Sequence, residues 1–141
     1  MAVIDPSTQQ GAHIAQRLRD ELIAWLTTVS PKGAPITIPI WFFWDGGDSL
    51  LVYSQPNTDK LRNIAANPRV CAHLNDEGAG QDIVIMIGRA ELSDDPPADQ
   101  LDAYIEKYRA LIDGYGWTPE SFAADYSVPF RLSVERLRGD S

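Results

Sequence analysis

The chain is short of cysteine, histidine and positive charge. Its 141 residues hold one cysteine, Cys71, and two histidines, His13 and His73. A single thiol cannot close an intrachain disulfide. Cys71 and two distant histidines also lack the ligand spacing of a zinc site, so no metal site is expected. Lys and Arg number 12 against 20 Asp and Glu, a net charge of −8. Such a chain repels phosphate backbones and anionic lipid, so neither nucleic acid nor a membrane surface is expected as a partner. Long apolar runs are missing too. The clearest, Ile38 to Trp44, is interrupted by Pro39, and a membrane helix needs about 20 apolar residues. The start, Met1-Ala2-Val3-Ile4-Asp5-Pro6, has neither a basic stretch nor an apolar core, so it does not read as a secretory signal. A cytoplasmic protein is the expectation. There is no G-x-S-x-G elbow, and neither Cys71 nor the histidines sit in a local nucleophile–base signature.

What is present fits one folded domain, residues 1–141. Hydrophobic residues make up 44% and charged residues 23%, which excludes wholesale disorder. Ile14, Leu18 and Leu22 recur at helical spacing and predict a short helix from about Gln9 to Asp20. Leu22 to Val29 reads as a first strand, and Ser30-Pro31-Lys32-Gly33 as a turn. Pro35 to Trp44 reads as one second strand, in which Pro39 implies an edge, a bulge or a break that faces a ligand. Asp45-Gly46-Gly47-Asp48 is a hairpin turn leading into a third strand, Ser49 to Ser54. Asn57 or Thr58 caps a helix that Pro68 stops. Arg69–Asn75 and Asp82–Leu92 are the next strands, separated by a loop at Asp76–Gly80. Pro96-Pro97 opens an amphipathic helix carrying Leu101, Tyr104, Ile105, Tyr108, Leu111 and Ile112. Thr118-Pro119-Glu120 starts another, and Ser127–Leu137 alternates as a sixth strand. Hairpins with inserted helices predict a mostly β, six-stranded antiparallel barrel with α additions.

Two stretches carry chemistry. The first is Tyr53-Ser54-Gln55-Pro56-Asn57-Thr58-Asp59-Lys60-Leu61-Arg62-Asn63. A strand there runs into a helix N-terminus, where free N–H groups favour an anion. Ser54 and Thr58 offer hydroxyls. Lys60 stands in the first helical turn, an unfavourable place for a cation without an anion beside it. Lys60 and Asn63 share a helix face. A capped surface helix with solvated charges accounts for the same residues. The second stretch, Pro39-Ile40-Trp41-Phe42-Phe43-Trp44, puts Trp41 and Phe43 on one face and Ile40, Phe42 and Trp44 on the other. A strand apolar on both faces suits core packing, a wall under a dimer interface, or a platform for a flat heterocycle. Cys71 and His73 share one strand face and read as core or interface residues.

The segments Leu26-Thr27-Thr28-Val29, Lys32-Gly33-Ala34-Pro35, Pro39-Ile40-Trp41-Phe42, Tyr53-Ser54-Gln55, Lys60-Leu61-Arg62-Asn63-Ile64, Asn67-Pro68-Arg69-Val70 and Gly88-Arg89-Ala90-Glu91-Leu92 occur in this order. Each is short. Together they resemble the pyridoxamine 5′-phosphate oxidase-like split β-barrel superfamily, and within it the actinobacterial branch that uses the deazaflavin coenzyme F420 or a flavin. The resemblance implies a homodimer with cofactor clefts at the interface. It implies phosphate contacts from Ser54, Lys60, Arg62 and Asn63, a further cofactor contact from Gln55, and ring contacts from Pro39, Ile40 and Trp41. It further implies an oxidoreductase that passes hydride between F420, or alternatively FMN, and a small organic molecule. The alternative class on the same barrel is a flavin-, haem- or tetrapyrrole-binding protein without turnover. The chain ends Glu135-Arg136-Leu137-Arg138-Gly139-Asp140-Ser141 and does not resemble the C-terminal segment with Arg and His of the true oxidase, which speaks against vitamin B6 oxidation. Trp117 and Tyr126 are further candidates for the pocket wall.

Overall fold

The computed structural model describes residues 2–140. A helix α1 (Gln9–Asp20) is followed by strands β1 (Ala24–Val29), β2 (Pro35–Ile40), β3 (Phe43–Trp44) and β4 (Ser49–Ser54). Helix α2 (Asp59–Ala66) then leads to β5 (Arg69–His73) and β6 (Ile83–Leu92). A 3₁₀ turn at Ala98–Gln100, helices α3 (Asp102–Gly114) and α4 (Pro119–Asp125), and strand β7 (Val128–Asp140) complete the order. The strands form one antiparallel sheet in the order β2-β1-β5-β6-β7-β4-β3, curled into a half-barrel.

The sheet has seven strands where six were expected. The extra one arises because Pro35–Trp44 is not continuous. β2 pairs with β1, placing Pro39 opposite Trp25, whereas β3 pairs with β4, placing Phe43 opposite Leu51. Between them the backbone of Phe42 is taken by α3. Its N–H donates to the Tyr108 hydroxyl at 2.7 Å, and its carbonyl accepts from Lys107 Nζ at 2.9 Å. Backbone groups satisfied this way have no need of a ladder partner. Pro39 sits on the edge strand, where its missing N–H costs nothing. Other boundaries move too: β1 starts at Ala24 and not Leu22, β5 ends at His73 and not Asn75, β7 runs on from Leu137 to Asp140, and α3 starts at Asp102, because the residues after Pro96-Pro97 form the 3₁₀ turn first.

Two apolar clusters flank the sheet. The first fills the concave side, with Ile14 and Leu18 of α1, Leu26 of β1, Met86 of β6 and Phe130 and Leu132 of β7. Phe42 and Trp44 point into it as well. The second lies outside β4, where Leu51 and Tyr53 meet Tyr104, Tyr108 and Ile112 of α3 and Phe122 of α4. β4 is therefore buried on both faces, with Leu50 and Val52 in one cluster and Leu51 and Tyr53 in the other. The aromatic segment divides the same way, since Trp41 and Phe43 pack against the second cluster. α3 and α4 thus form a layer beside the break between β2 and β3. No helix among the described residues is long and apolar enough to cross a membrane.

Candidate functional site

The break between β2 and β3 opens a cavity of about 210 Å³. Pro39, Ile40 and Trp41 form its strand side, with Tyr53 and Lys60, while Tyr115, Trp117, Phe122 and Tyr126 form its helix side. The Trp41 ring stacks on Tyr108 at 4.6 Å, with the planes 2° apart, and on Phe122 at 5.2 Å. Phe122 in turn stacks on Tyr126 at 4.8 Å, and Tyr115 on Trp117 at 4.6 Å. Most of the lining is thus flat, apolar surface, which is the usual composition of a small-molecule site.

Lys60 is the one charged residue among those lining the cavity. It is half-buried, and burial lowers its pKa from the ordinary lysine value. No carboxylate offsets that burial, and among the described residues no ion pair engages Lys60. An ammonium held out of water without a counter-charge favours an anionic ligand.

The other residues expected at the site are placed differently. Ser54 is fully buried; its hydroxyl donates to the Gln55 carbonyl at 2.8 Å and lies 3.1 Å from the Thr58 hydroxyl. Asn63 is buried too, and its amide donates to the Thr28 hydroxyl at 3.0 Å. Gln55 is exposed. Arg62 is exposed, pairs with Asp59 and donates to the Asn57 carbonyl at 2.7 Å. Thr58 is the N-cap of α2, but its side chain makes no capping bond. The structure brings Pro39, Ile40, Trp41 and Lys60 together around one cavity. It holds Ser54 and Asn63 in internal bonds, and leaves Gln55 and Arg62 outside.

Sequence reasoning missed Tyr53, Tyr115 and Phe122 as lining residues. Tyr53 points outward from β4, and its hydroxyl donates to the Pro96 carbonyl. Burial first, and the Asp95 carboxylate second, push its pKa up to about 12, so it remains a neutral phenol at physiological pH. A signal for Tyr115 lay in Gly114-Tyr115-Gly116-Trp117, where two aromatics flank a helix-ending glycine with a positive φ of 75°. Neither histidine lines the cavity. The His13 imidazole is within 2.9 Å of the Asp82 carboxylate, and His73 Nδ1 is 3.0 Å from the Leu74 carbonyl. Cys71 and His73 lie on the convex face of the sheet, in register with Ile87 and Ile85. Among the described residues no group of His, Cys, Asp and Glu is placed to hold a metal ion.

A curled antiparallel sheet with helices laid beside it and a cleft at its broken strand defines a split-barrel protein of the pyridoxamine 5′-phosphate oxidase-like kind. The family model described as pyridoxamine 5′-phosphate oxidase matches residues 11–139, and the chain belongs to that family. No curated protein matches the chain significantly. Among solved structures, an F420 reductase is 28% identical with a TM-score of 0.63, over 87% of this chain and 94% of that one. An FAD-binding protein from Mesorhizobium loti is 21% identical with a TM-score of 0.65, over 91% and 90%. HutZ, the haem storage protein from Vibrio cholerae, is 16% identical with a TM-score of 0.65, over 94% and 96%. The last two likenesses concern the fold.

Proposed function

We propose that this protein is an oxidoreductase that binds a flavin-type cofactor, coenzyme F420 ahead of FMN, and acts on a small organic molecule. The observation that carries the reading is Lys60, a half-buried ammonium without a counter-charge at the rim of an aromatic cavity. Both cofactors pair a flat ring with an anionic tail. Pro39, Ile40 and Trp41 would line the ring and Lys60 would hold the tail. FMN ends in a compact phosphate, which calls for a tight cage of hydroxyls and Arg. The Ser54 hydroxyl is buried in internal bonds, and Arg62 is engaged by Asp59. The spread-out acidic tail of F420 needs less of a cage, and the 28% identical F420 reductase supports the same order.

When bound, the cofactor supplies a ring atom that gives or takes a hydride. The chain's own part is placement. The broken strand keeps Trp41 rigid through its stack on Tyr108, and the aromatic wall excludes water from the ring. Placement of this kind supplies a large share of such a barrier. Among the described residues no Cys or His lines the cavity, and the lining residues that carry a transferable proton are Lys60 and the tyrosines. The same fact weighs against the haem-binding alternative, since neither His is placed as an axial ligand there.

We further propose a homodimer. The convex face of β1, β5 and β6 carries Trp25, Thr27, Cys71, His73, Ile85 and Ile87, all half-exposed, with Trp25 opposite His73 and Thr27 opposite Cys71. A contiguous apolar sheet face of this kind marks an association surface. The cofactor reading is tested by titrating the purified protein with F420 and with FMN, followed by cofactor fluorescence. Saturable binding of F420, tighter than that of FMN, supports it. Failure to bind either cofactor refutes it.

A further inference from the structure

Lys107 is not among the residues lining the cavity, yet it holds the strand break beside which the cavity opens. Its ammonium donates to the Phe42 carbonyl at 2.9 Å and to the Leu18 carbonyl at 3.2 Å. It also lies 3.7 Å from the centre of the Phe42 ring and 5.4 Å from that of Tyr108, within the range of cation–π attraction. Leu18 belongs to the last turn of α1, where helix carbonyls lack a helical partner. Three carbonyls, of Leu18, Leu22 and Phe42, thus converge on this point of α3. The Tyr108 hydroxyl has one proton to share between Leu22 and Phe42. Lys107 supplies the remaining donors. Without it, Phe42 competes with Leu22 for a single proton.

Stability does not account for this lysine. Among the described residues no ion pair engages it. Burial lowers its pKa to about 8, against attraction from Asp20 and Glu21, so its charge is destabilising at neutral pH. An apolar side chain of similar volume in place of a buried charge is often neutral or stabilising. What the ammonium does is keep the Phe42 carbonyl out of the β-ladder. On one side of that carbonyl the Phe42 ring enters the concave core, and on the other Trp41 packs against the second cluster and lines the cavity. The Trp41 ring lies flat on Tyr108, 4.6 Å away with the planes 2° apart. Water reaches Lys107 through a separate groove, lined also by Arg19, Asp20 and Glu106, which shares no residue with the cavity. Any influence of Lys107 on a ring held in the cavity therefore passes through Phe42 and Trp41.

We propose that Lys107 is a positioning residue: by holding the Phe42 carbonyl it fixes the Trp41 ring against Tyr108, and so sets the orientation of the surface on which the cofactor ring lies. The proposal rests on reading the cavity as a flavin-type cofactor cleft. It gives a function to a buried cation whose charge the fold does not need for stability.

The test replaces the four tryptophans with fluorotryptophan and reads them by fluorine NMR, the Trp41 signal being the one lost in Trp41→Phe. At pH 7, Lys107→Met shifts or broadens the Trp41 signal and leaves that of Trp25, on the convex face, in place. The same variant binds F420 roughly three- to tenfold more weakly, the size of one aromatic contact, with Tm unchanged or higher. Lys107→Arg keeps a cation that donates to the same carbonyls, and restores both the signal and the affinity. Glu106→Gln alters a neighbour in the same groove and changes neither. An undisturbed Trp41 signal in Lys107→Met, an affinity loss that tracks a lowered Tm, or no recovery in Lys107→Arg overturns the proposal. If F420 binds and Lys107→Met leaves signal and affinity as they were, the positioning role falls and the cofactor reading stands. If wild-type protein binds neither F420 nor FMN, the cofactor reading falls, and the fluorine signal still decides whether Lys107 places Trp41.

Discussion

Two tyrosines one helical turn apart on α3 carry opposite expectations. Tyr108 is fully buried and its hydroxyl is used. It accepts from the Phe42 N–H at 2.7 Å, and the Phe42 and Leu22 carbonyls both lie at 2.8 Å, sharing its one proton. Tyr104 is equally buried, but its hydroxyl has no partner among the described residues. Tyr108→Phe therefore strands backbone groups and is expected to cost about 1–3 kcal/mol in urea unfolding. Tyr104→Phe removes an unpaired polar atom and is expected to be neutral or stabilising. A larger loss for Tyr104→Phe than for Tyr108→Phe would contradict the assignment. Lys107 adds a pH dependence. Burial lowers its pKa to about 8, against attraction from Asp20 and Glu21 that raises it. The unfolded chain holds that proton to higher pH than the folded one, so stability rises with pH between about 8 and the ordinary lysine value. Above pH 10 the buried tyrosines oppose the rise, because their pKa values are raised in the fold. The comparison is thus made between pH 8 and 10, where Lys107→Met is expected to flatten the slope of Tm against pH.

Among the elements, those governed by local chemistry were legible. α1 lies at Gln9–Asp20 as its periodicity predicts, with Thr8 capping it through the Gly11 N–H. α4 starts at Pro119 behind Thr118. The aromatic alternation of residues 40–44 also reads through to the two clusters. The split of Pro35–Trp44 did not, because its cause is Tyr108 and Lys107, more than sixty residues later. The candidate site divides likewise. Lys60 and Pro39–Trp41 were visible as local oddities, whereas the internal bonds of Ser54 and Asn63 depend on tertiary partners. β6 holds a further feature of this kind. Its register against β7 shifts between Ile87 and Gly88, and a Cβ added at Gly88 would lie 1.8 Å from the Ser133 carbonyl oxygen. Gly88→Ala must push backbone apart at this bulge. It is expected to cost more than about 3 kcal/mol, among the larger effects of single substitutions, and wild-type Tm in that variant would exclude the close approach.

At the scale of the whole molecule, the half-barrel leaves its convex apolar face and the exposed edge strand β2 on the surface. A homodimer through that face should bury more than about 1,200 Å². Light scattering at micromolar concentration is expected to give twice the 15.6 kDa chain mass, and Ile85→Asp to give the monomer. Neither Cys71 nor His73 lines the cavity, so Cys71→Ser is expected to retain cofactor binding, as is His73→Gln wherever the dimer persists. Central to the account is an anionic cofactor tail held at Lys60 beside the aromatic cavity. The most direct test is the F420 dissociation constant of Lys60→Ala beside that of wild type. Loss of one charge-assisted contact, roughly 1.5–3 kcal/mol, predicts affinity about ten- to a hundredfold weaker with an unchanged Tm. Equal affinity in the two proteins would contradict it.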